Sequence, residues 1–155
     1  MNMPSTGSAT DRFAFAPLHP WLQPCAPSGR ECMASICGSD TTPERVVRSV
    51  LHRLGCRFAL HRNDLPGKPD IVMPARGAIV LVHVCFWHMH SCKRGRSSPV
   101  TNAEFWQAKR TKNKERDRKT LAKLRREGWR VLVVWECQTP KVWSLSDRLS
   151  AFLLR

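Results

Sequence analysis

Acidic residues are scarce in this chain: 12 Asp and Glu stand against 26 Lys and Arg, a formal net charge of +14 over 155 residues, with an isoelectric point near 10.4. A small protein so short of negative charge concentrates on polyanions. Neutralising phosphates releases counterions, so its binding should weaken steeply with salt. Long apolar runs are also missing. None approaches the ~20 residues that a membrane span requires, and no terminal amphipathic helix offers an anchor, so nucleic acid is the expected partner and a membrane is not. The N-terminus lacks the basic-then-apolar layout of a secretory signal, and the seven cysteines (Cys25, Cys32, Cys37, Cys56, Cys85, Cys92 and Cys137) are an odd number. Both features speak against a secreted disulfide protein and for a reducing cytoplasm, where clustered cysteines bind metal more often than they cross-link. Internal repeats are absent too.

What is present amounts to one domain's length, with a hydrophobic fraction of 42% that suffices for one core. Residues 1–32 read as a disordered tail, because Pro17, Pro20, Pro24 and Pro27 follow one another with no apolar periodicity between them. Residues 33–155 are expected to form a single domain. Its first helix should open at Ser39–Glu44, where polar capping residues precede Pro43. Val46, Val47, Val50, Leu51 and Leu54 then recur at helical spacing until Gly55. Strands are expected over Arg57–His61, Asp70–Met73 and Ala78–Val84, the last of them buried, with turns at 63–69 and 74–77. Thr101-Asn102-Ala103-Glu104 has the spacing of a capping box. The helix it opens should run to about Glu127, with Gly128 as terminator. That stretch is rich in Lys and Arg, and such a run is most simply a solvated face. A second buried-type strand over Arg130–Glu136 and a short helix near Leu145–Leu154 complete an α/β pattern. A strand–helix–strand crossover places its two strands parallel in one sheet.

The densest chemistry lies at the end of the buried strand, where His83, Cys85, His88, His90 and Cys92 crowd together. Cys85 ends the strand before the crossover and Cys137 ends the strand after it. If those strands are parallel neighbours, both cysteines emerge at one edge of the sheet. Cys85, His90, Cys92 and Cys137 would then make a closed Cys3His set of the structural kind that zinc favours. Spacing alone does not decide between His88 and His90 as the ligand. A histidine left over beside such a site suits general acid–base work, its ordinary pKa lying near neutrality. The plainer alternative is two buried cysteines and some surface histidines. Phe86 and Trp87, in what should be a loop, suggest stacking on bases or wedging between them, and Trp106 could join them. Ordinary core packing is the alternative for each.

Pro69-Asp70 opens a strand after a Gly-Lys turn. This resembles the first half of the proline–aspartate nuclease signature of restriction-enzyme-like folds. There, an aspartate on one strand and an acidic residue with a lysine on the next hold a divalent metal at the scissile phosphate. Here the next strand offers Val82-His83-Val84, so the usual second half is missing and a histidine stands near its place. Alone, the pair reads more simply as a turn aspartate.

Together these motifs are more specific. Met33-Ala34-Ser35-Ile36, Asp40-Thr41-Thr42-Pro43-Glu44, Leu65-Pro66-Gly67-Lys68-Pro69-Asp70 and the block from His83 to Cys92 resemble the very short patch repair (Vsr) endonucleases in order and spacing. The likeness continues through Glu104-Phe105-Trp106, Lys112-Asn113, Glu115-Arg116-Asp117 and Gly128-Trp129-Arg130-Val131 to Val134-Trp135-Glu136-Cys137. The resemblance implies an α/β, restriction-endonuclease-like core, a mixed sheet flanked by helices, with a structural zinc site. It implies a nick 5′ to the thymine of a T:G mismatch left by deaminated 5-methylcytosine, the opening step of very short patch repair. Asp70 would ligate catalytic Mg2+, His88 would act as general base, and His83 and Glu44 would support them. Zn2+ falls to Cys85, His90, Cys92 and Cys137, the set that spacing also selects. Phe86, Trp87 and Trp106 would wedge into the duplex, Met33 and Ile36 would approach the minor groove, and Lys112 and Asn113 would join the DNA contacts. The setting it implies is a monomer on double-stranded DNA in the bacterial cytoplasm, associated with the nucleoid, with general mismatch-repair proteins as further partners.

Two positions depart from the family pattern: Val84 stands where glycine is usual and Cys37 where a basic residue is typical. Residues 1–32 match nothing in the family. A restriction-type nuclease of the same fold and a non-catalytic zinc-stabilised DNA-binding module are the rival readings. Asp70 with His88 argues against the module, and the three aromatics argue against a nuclease for undistorted sites.

Overall fold

The computed structural model describes residues 40–154. Thr41 caps the first helix, α1 (Thr42–Arg53): its hydroxyl accepts from the Glu44 N–H at 3.5 Å and donates to Glu44 Oε1 at 2.8 Å. Pro43 falls in the first turn, where its missing N–H costs nothing. A four-stranded sheet follows, β1 (Ala59–Leu60), β2 (Ile71–Met73), β3 (Ala78–His83) and β4 (Arg130–Trp135), in the spatial order β1-β2-β3-β4. The first three strands are antiparallel neighbours, whereas β3 and β4 run parallel, from Ala78 opposite Arg130 to His83 opposite Trp135. The crossover between them carries a one-turn helix, α2 (Lys93–Arg96), and the long α3 (Ala103–Arg126); α4 (Val142–Leu153) closes the fold. The result is a mixed α/β fold, as expected, and the expected parallel pair, β3 with β4, forms one side of the sheet, with β4 at its edge.

Alternation along β3 sorts its side chains onto two cores. Ala78, Val80 and Val82 meet Val47, Val50 and Leu51 of α1 and Leu145 and Leu149 of α4. Ile79 and Leu81 meet Leu124 of α3, with Leu121 and Trp129 beside it. A strand covered on both faces must be apolar at every position, which is why Ala78–Val82 reads as an unbroken run. Each fully buried aliphatic side chain contributes ~1.5–3 kcal/mol of transfer free energy. Little of that comes from α3, in which only Arg110 and Leu124 are buried.

Four expectations need correction. The strand expected over Arg57–His61 shrinks to two residues, because its partner β2 has three and His61 takes a left-handed φ of +46°. β4 is half-exposed rather than buried, since it is an edge strand. The expected capping box at Thr101 does not form: Asn102 is the N-cap, in left-handed conformation and without a side-chain cap bond, a conformation asparagine tolerates better than most residues. The helix α2 was not expected from a basic segment containing glycine. Among the described residues no helix is long and apolar enough to cross a membrane.

Candidate active site and metal centre

Because β3 and β4 are parallel and in register, the residues after His83 and after Trp135 leave the sheet side by side. The chain beyond β3 curls back on itself, with His88 N–H donating to Val84 O at 3.2 Å and His90 N–H to Cys85 O at 3.1 Å, while Met89 takes φ +52°. Glu136 pins this loop to the end of β4: its carboxylate accepts from Cys85 N–H at 3.2 Å and from Arg94 Nη1 at 2.8 Å. Cys137 N–H points at Cys85 Sγ (3.4 Å), and Cys137 Sγ lies 3.6 Å from His90 Nδ1.

Cys85, His90, Cys92 and Cys137 each offer a donor atom within 4.8 Å of the others, the spacing that one small ion requires. Their thiols are strongly differentiated. Burial pushes Cys85 up to about 12, whereas the hydrogen bond with His90 brings Cys92 down to about 6. The geometry gathers His90, not His88, with the three cysteines. Trp135 touches both histidine groups, stacking on His90 (4.3 Å) and meeting His83 edge-on (5.3 Å).

His83 and His88 stack with centroids 4.0 Å apart and planes 8° from parallel. His88 Nδ1 contacts Asp117 Oδ2, from α3. An ionised carboxylate can only accept, so Nδ1 is the donor, and whenever the ring is neutral its lone pair sits on Nε2. Burial works against Asp117's ionisation, but the hydrogen bond and charge of His88, with His83 and Arg116, outweigh it and hold the carboxyl below its ordinary range. Burial, aided by the His88 charge, lowers His83 to about 4, which keeps it neutral at physiological pH. Together with Lys114 and Arg118, these groups line a cavity of ≈ 660 Å³.

Asp70 stands at the start of β2. Its Oδ2 accepts from Val82 N–H at 2.7 Å, which ties it to the end of β3 immediately before His83. Burial raises its pKa to about 6, against the Val82 hydrogen bond and with the help of the Glu44 charge. Glu44, 3% exposed, is engaged by Arg48 Nη2 at 2.8 Å and by Asp40 N–H at 3.1 Å, with His61 Nε2 3.7 Å away. Its carboxylate is therefore paired with Arg48, and its charge still disfavours ionisation of Asp70. Among the described residues no hydrogen bond or ion pair joins Asp70 to either histidine, so the two groups flank the same strand end without touching.

The loop aromatics are half-buried rather than exposed, because they pack on one another. Phe86 meets Trp87 (5.0 Å), Trp87 meets Trp106 (5.6 Å), and Trp106 meets Phe105 (5.2 Å), the last being 58% exposed. Lys109 Nζ lies within 6 Å of three of these rings. Lys112 is exposed and Asn113 half-buried on the same helix; Met33 and Ile36 lie outside the described residues. Reading from sequence missed Asp117, Trp135 and Glu136 as members of the site. For Asp117 a signal existed: it stands four and seven residues before the inward-facing Leu121 and Leu124, on the buried side of an otherwise basic helix.

The family model described as DNA mismatch endonuclease Vsr matches residues 26–94. The type II nicking enzyme V.XorIIP of Xanthomonas oryzae pv. oryzae is 45% identical over 80% of this chain and 90% of its own length. The DNA mismatch endonuclease Vsr of Escherichia coli is 42% identical over 68% of this chain and 67% of its own. Among solved structures, the catalytic domain of the homing endonuclease I-Bth0305I superposes with a TM-score of 0.51 at 17% identity, over 74% of this chain and 96% of that one; it speaks to fold alone.

The Asp117 contact makes a spectroscopic prediction. Nitrogen-15 correlation spectra of the intact protein should show His88 as the Nδ1–H tautomer, and Asp117→Ala should return the ring to a tautomer mixture without changing the melting temperature. An unchanged His88 signal in the variant would mean that Asp117 does not orient it.

Proposed function

The chain belongs to the Vsr family of DNA mismatch endonucleases, and from that premise we propose that it nicks one strand of duplex DNA 5′ to the thymine of a T:G mismatch, opening very short patch repair. Residues 33–155 serve as the working nuclease domain, on a restriction-endonuclease-like core. The observation that carries this reading is the oriented His88, with Nε2 free, at the strand end where Asp70 is also fixed.

Hydrolysis of a phosphodiester needs a base for the attacking water and positive charge at the phosphate. His88 Nε2 takes the proton of that water, and the Asp117 carboxylate stabilises the imidazolium that results. His83, kept neutral by burial, packs flat on His88 and limits its rotation. Lys114 and Arg118 at the cavity rim attract the DNA backbone. Asp70 fits a magnesium ion: it is a single, partly desolvated carboxylate of the sort that Mg2+ takes alongside water and substrate phosphate oxygens. Bound there, the ion supplies charge neutralisation at the scissile phosphate. Glu44, committed to Arg48, would support the site not as a ligand but by adding negative charge beside Asp70, which disfavours ionisation of Asp70 in the empty site and attracts a divalent cation to it.

Three thiols and an imidazole suit zinc rather than magnesium or calcium, so Cys85, His90, Cys92 and Cys137 fit a structural Zn2+. That ion would clamp the loop to β4 and fix the aromatics that project from it. Phe86, Trp87 and Trp106 enter the duplex beside the mismatch, where unstacking costs less than at a paired step, and so convert deformability into selectivity.

Two variants test this reading. Asp70→Ala should still bind a mismatched duplex but lose nicking; a fully active variant would remove the metal role. Cys137→Ala should lose bound zinc and melt well below the parent, because zinc held by such a set contributes ~10–16 kcal/mol of apparent binding free energy. Unchanged zinc content and melting would sink the ligand set.

A further inference from the structure

Arg110 is 3% exposed, in a helix most of whose neighbouring side chains lie in solvent. None of the ion pairs among the described residues includes it, so a full charge is buried without a carboxylate. Carbonyl groups take the place of a counter-ion. Nε donates to Phe86 O at 2.8 Å, Nη1 to Ser97 O at 2.9 Å and Nη2 to Gly95 O, and the guanidinium carbon lies 4.6 Å from the centre of the Phe86 ring. Burying a charge is costly unless every donor finds a partner, and a planar fork meets three divergent carbonyls in a way that a single ammonium does not.

The acceptors reveal what the arginine holds. Phe86 follows Cys85 at the start of the loop, whereas Gly95 and Ser97 follow Cys92 at its end. One side chain of α3 therefore closes both ends of the loop. Gly95 passes the restraint on: a Cβ there would stand 2.0 Å from His90 O, so α2 presses directly on the His90 backbone. One turn earlier on the same face of α3, Trp106 packs on Trp87. The neighbours Phe86 and Trp87 are thus tied to Arg110 and Trp106, two side chains at i and i+4 spacing.

We propose that Arg110 is a positioning residue for mismatch recognition, holding Phe86 and Trp87 in register with Trp106 so that the rings meet DNA as a preformed wedge. The proposal rests on the wedge reading given above. Its physical content is preorganisation: a loop fixed before binding does not lose its conformational freedom on binding.

The test uses the intact zinc-loaded protein and a duplex carrying 2-aminopurine beside a T:G mismatch, whose fluorescence rises when the step unstacks. Arg110→Lys keeps the charge but loses the fork, so it should stay folded with the parent's zinc content and melt somewhat lower, since buried carbonyls lose a partner. It should blunt the fluorescence rise and lower the ratio of mismatched to matched nicking about 10–100-fold, the scale on which a misplacement of about 1 Å lowers rate. Trp87→Ala tests the wedge independently: if that variant gives the parent's fluorescence, the wedge reading fails and takes the proposal with it. If Trp87→Ala loses the signal and Arg110→Lys keeps it, with parental selectivity, the wedge stands and the role of Arg110 is overturned. An equal fall on mismatched and matched duplexes also overturns it. Arg110→Gln is the second variant; should both substitutions unfold the protein or release zinc, Arg110 builds the core instead and the proposal is wrong.

Discussion

The parallel pairing of β3 with β4 is the constraint on which the rest of the molecule depends. Six residue pairs hold the two strands in register, ending at His83 opposite Trp135. Parallel strands point their C-terminal ends the same way, so the loop after β3 and the turn after β4 must emerge together. Cys85 and Cys137, far apart in sequence, become neighbours for that reason alone. The same pairing requires a crossover, and α3 supplies it, carrying Asp117, Arg110 and Trp106 over the loop. A one-residue slip of register would turn His83 to the opposite face of the sheet and part it from His88.

The loop after β3 is fixed from three directions. Glu136 holds its start to β4, the four candidate metal donors gather its two ends with Cys137, and α3 reaches down with Asp117 and Arg110. Such redundancy suits the role proposed for this segment, which joins chemistry to recognition: His88 contacts Asp117, and Phe86 and Trp87 pack on one another towards Trp106. Rigid placement matters because neither a general base nor an aromatic wedge works if it must first be ordered by the substrate.

Much of this was legible in the sequence because the signals were local. The apolar run Ala78–Val82 marks a strand covered on both faces, and the crowding of cysteine and histidine behind it marks a candidate metal centre. What escaped was set by long-range geometry. Arg110 sits in a basic helix whose composition suggests a solvated face, and only the packing of α3 distinguishes it from Lys112 or Arg118; Asp117 carried no more than its spacing to Leu121 and Leu124. The half-exposed character of β4 depends on strand order, which no property of Arg130–Trp135 encodes. The Thr101 capping box failed for a different reason: its spacing is correct, but Asn102 adopts the left-handed conformation and starts the helix one residue later. Grouping of His90 rather than His88 with the cysteines likewise needed the turn at Met89, whose positive φ lies between the two residues: His90 stacks on Trp135 and His88 on His83.

The function proposed for this site joins a base and an acidic metal ligand at one strand end to an aromatic wedge that selects distorted DNA. It is tested by the nicking of end-labelled duplexes that differ only in one base pair, T:G against T:A, with magnesium present or withheld. The expected result is a magnesium-dependent nick 5′ to the thymine, in the mismatched duplex alone. Equal cutting of both duplexes, or tight binding with no cut in either, would contradict it.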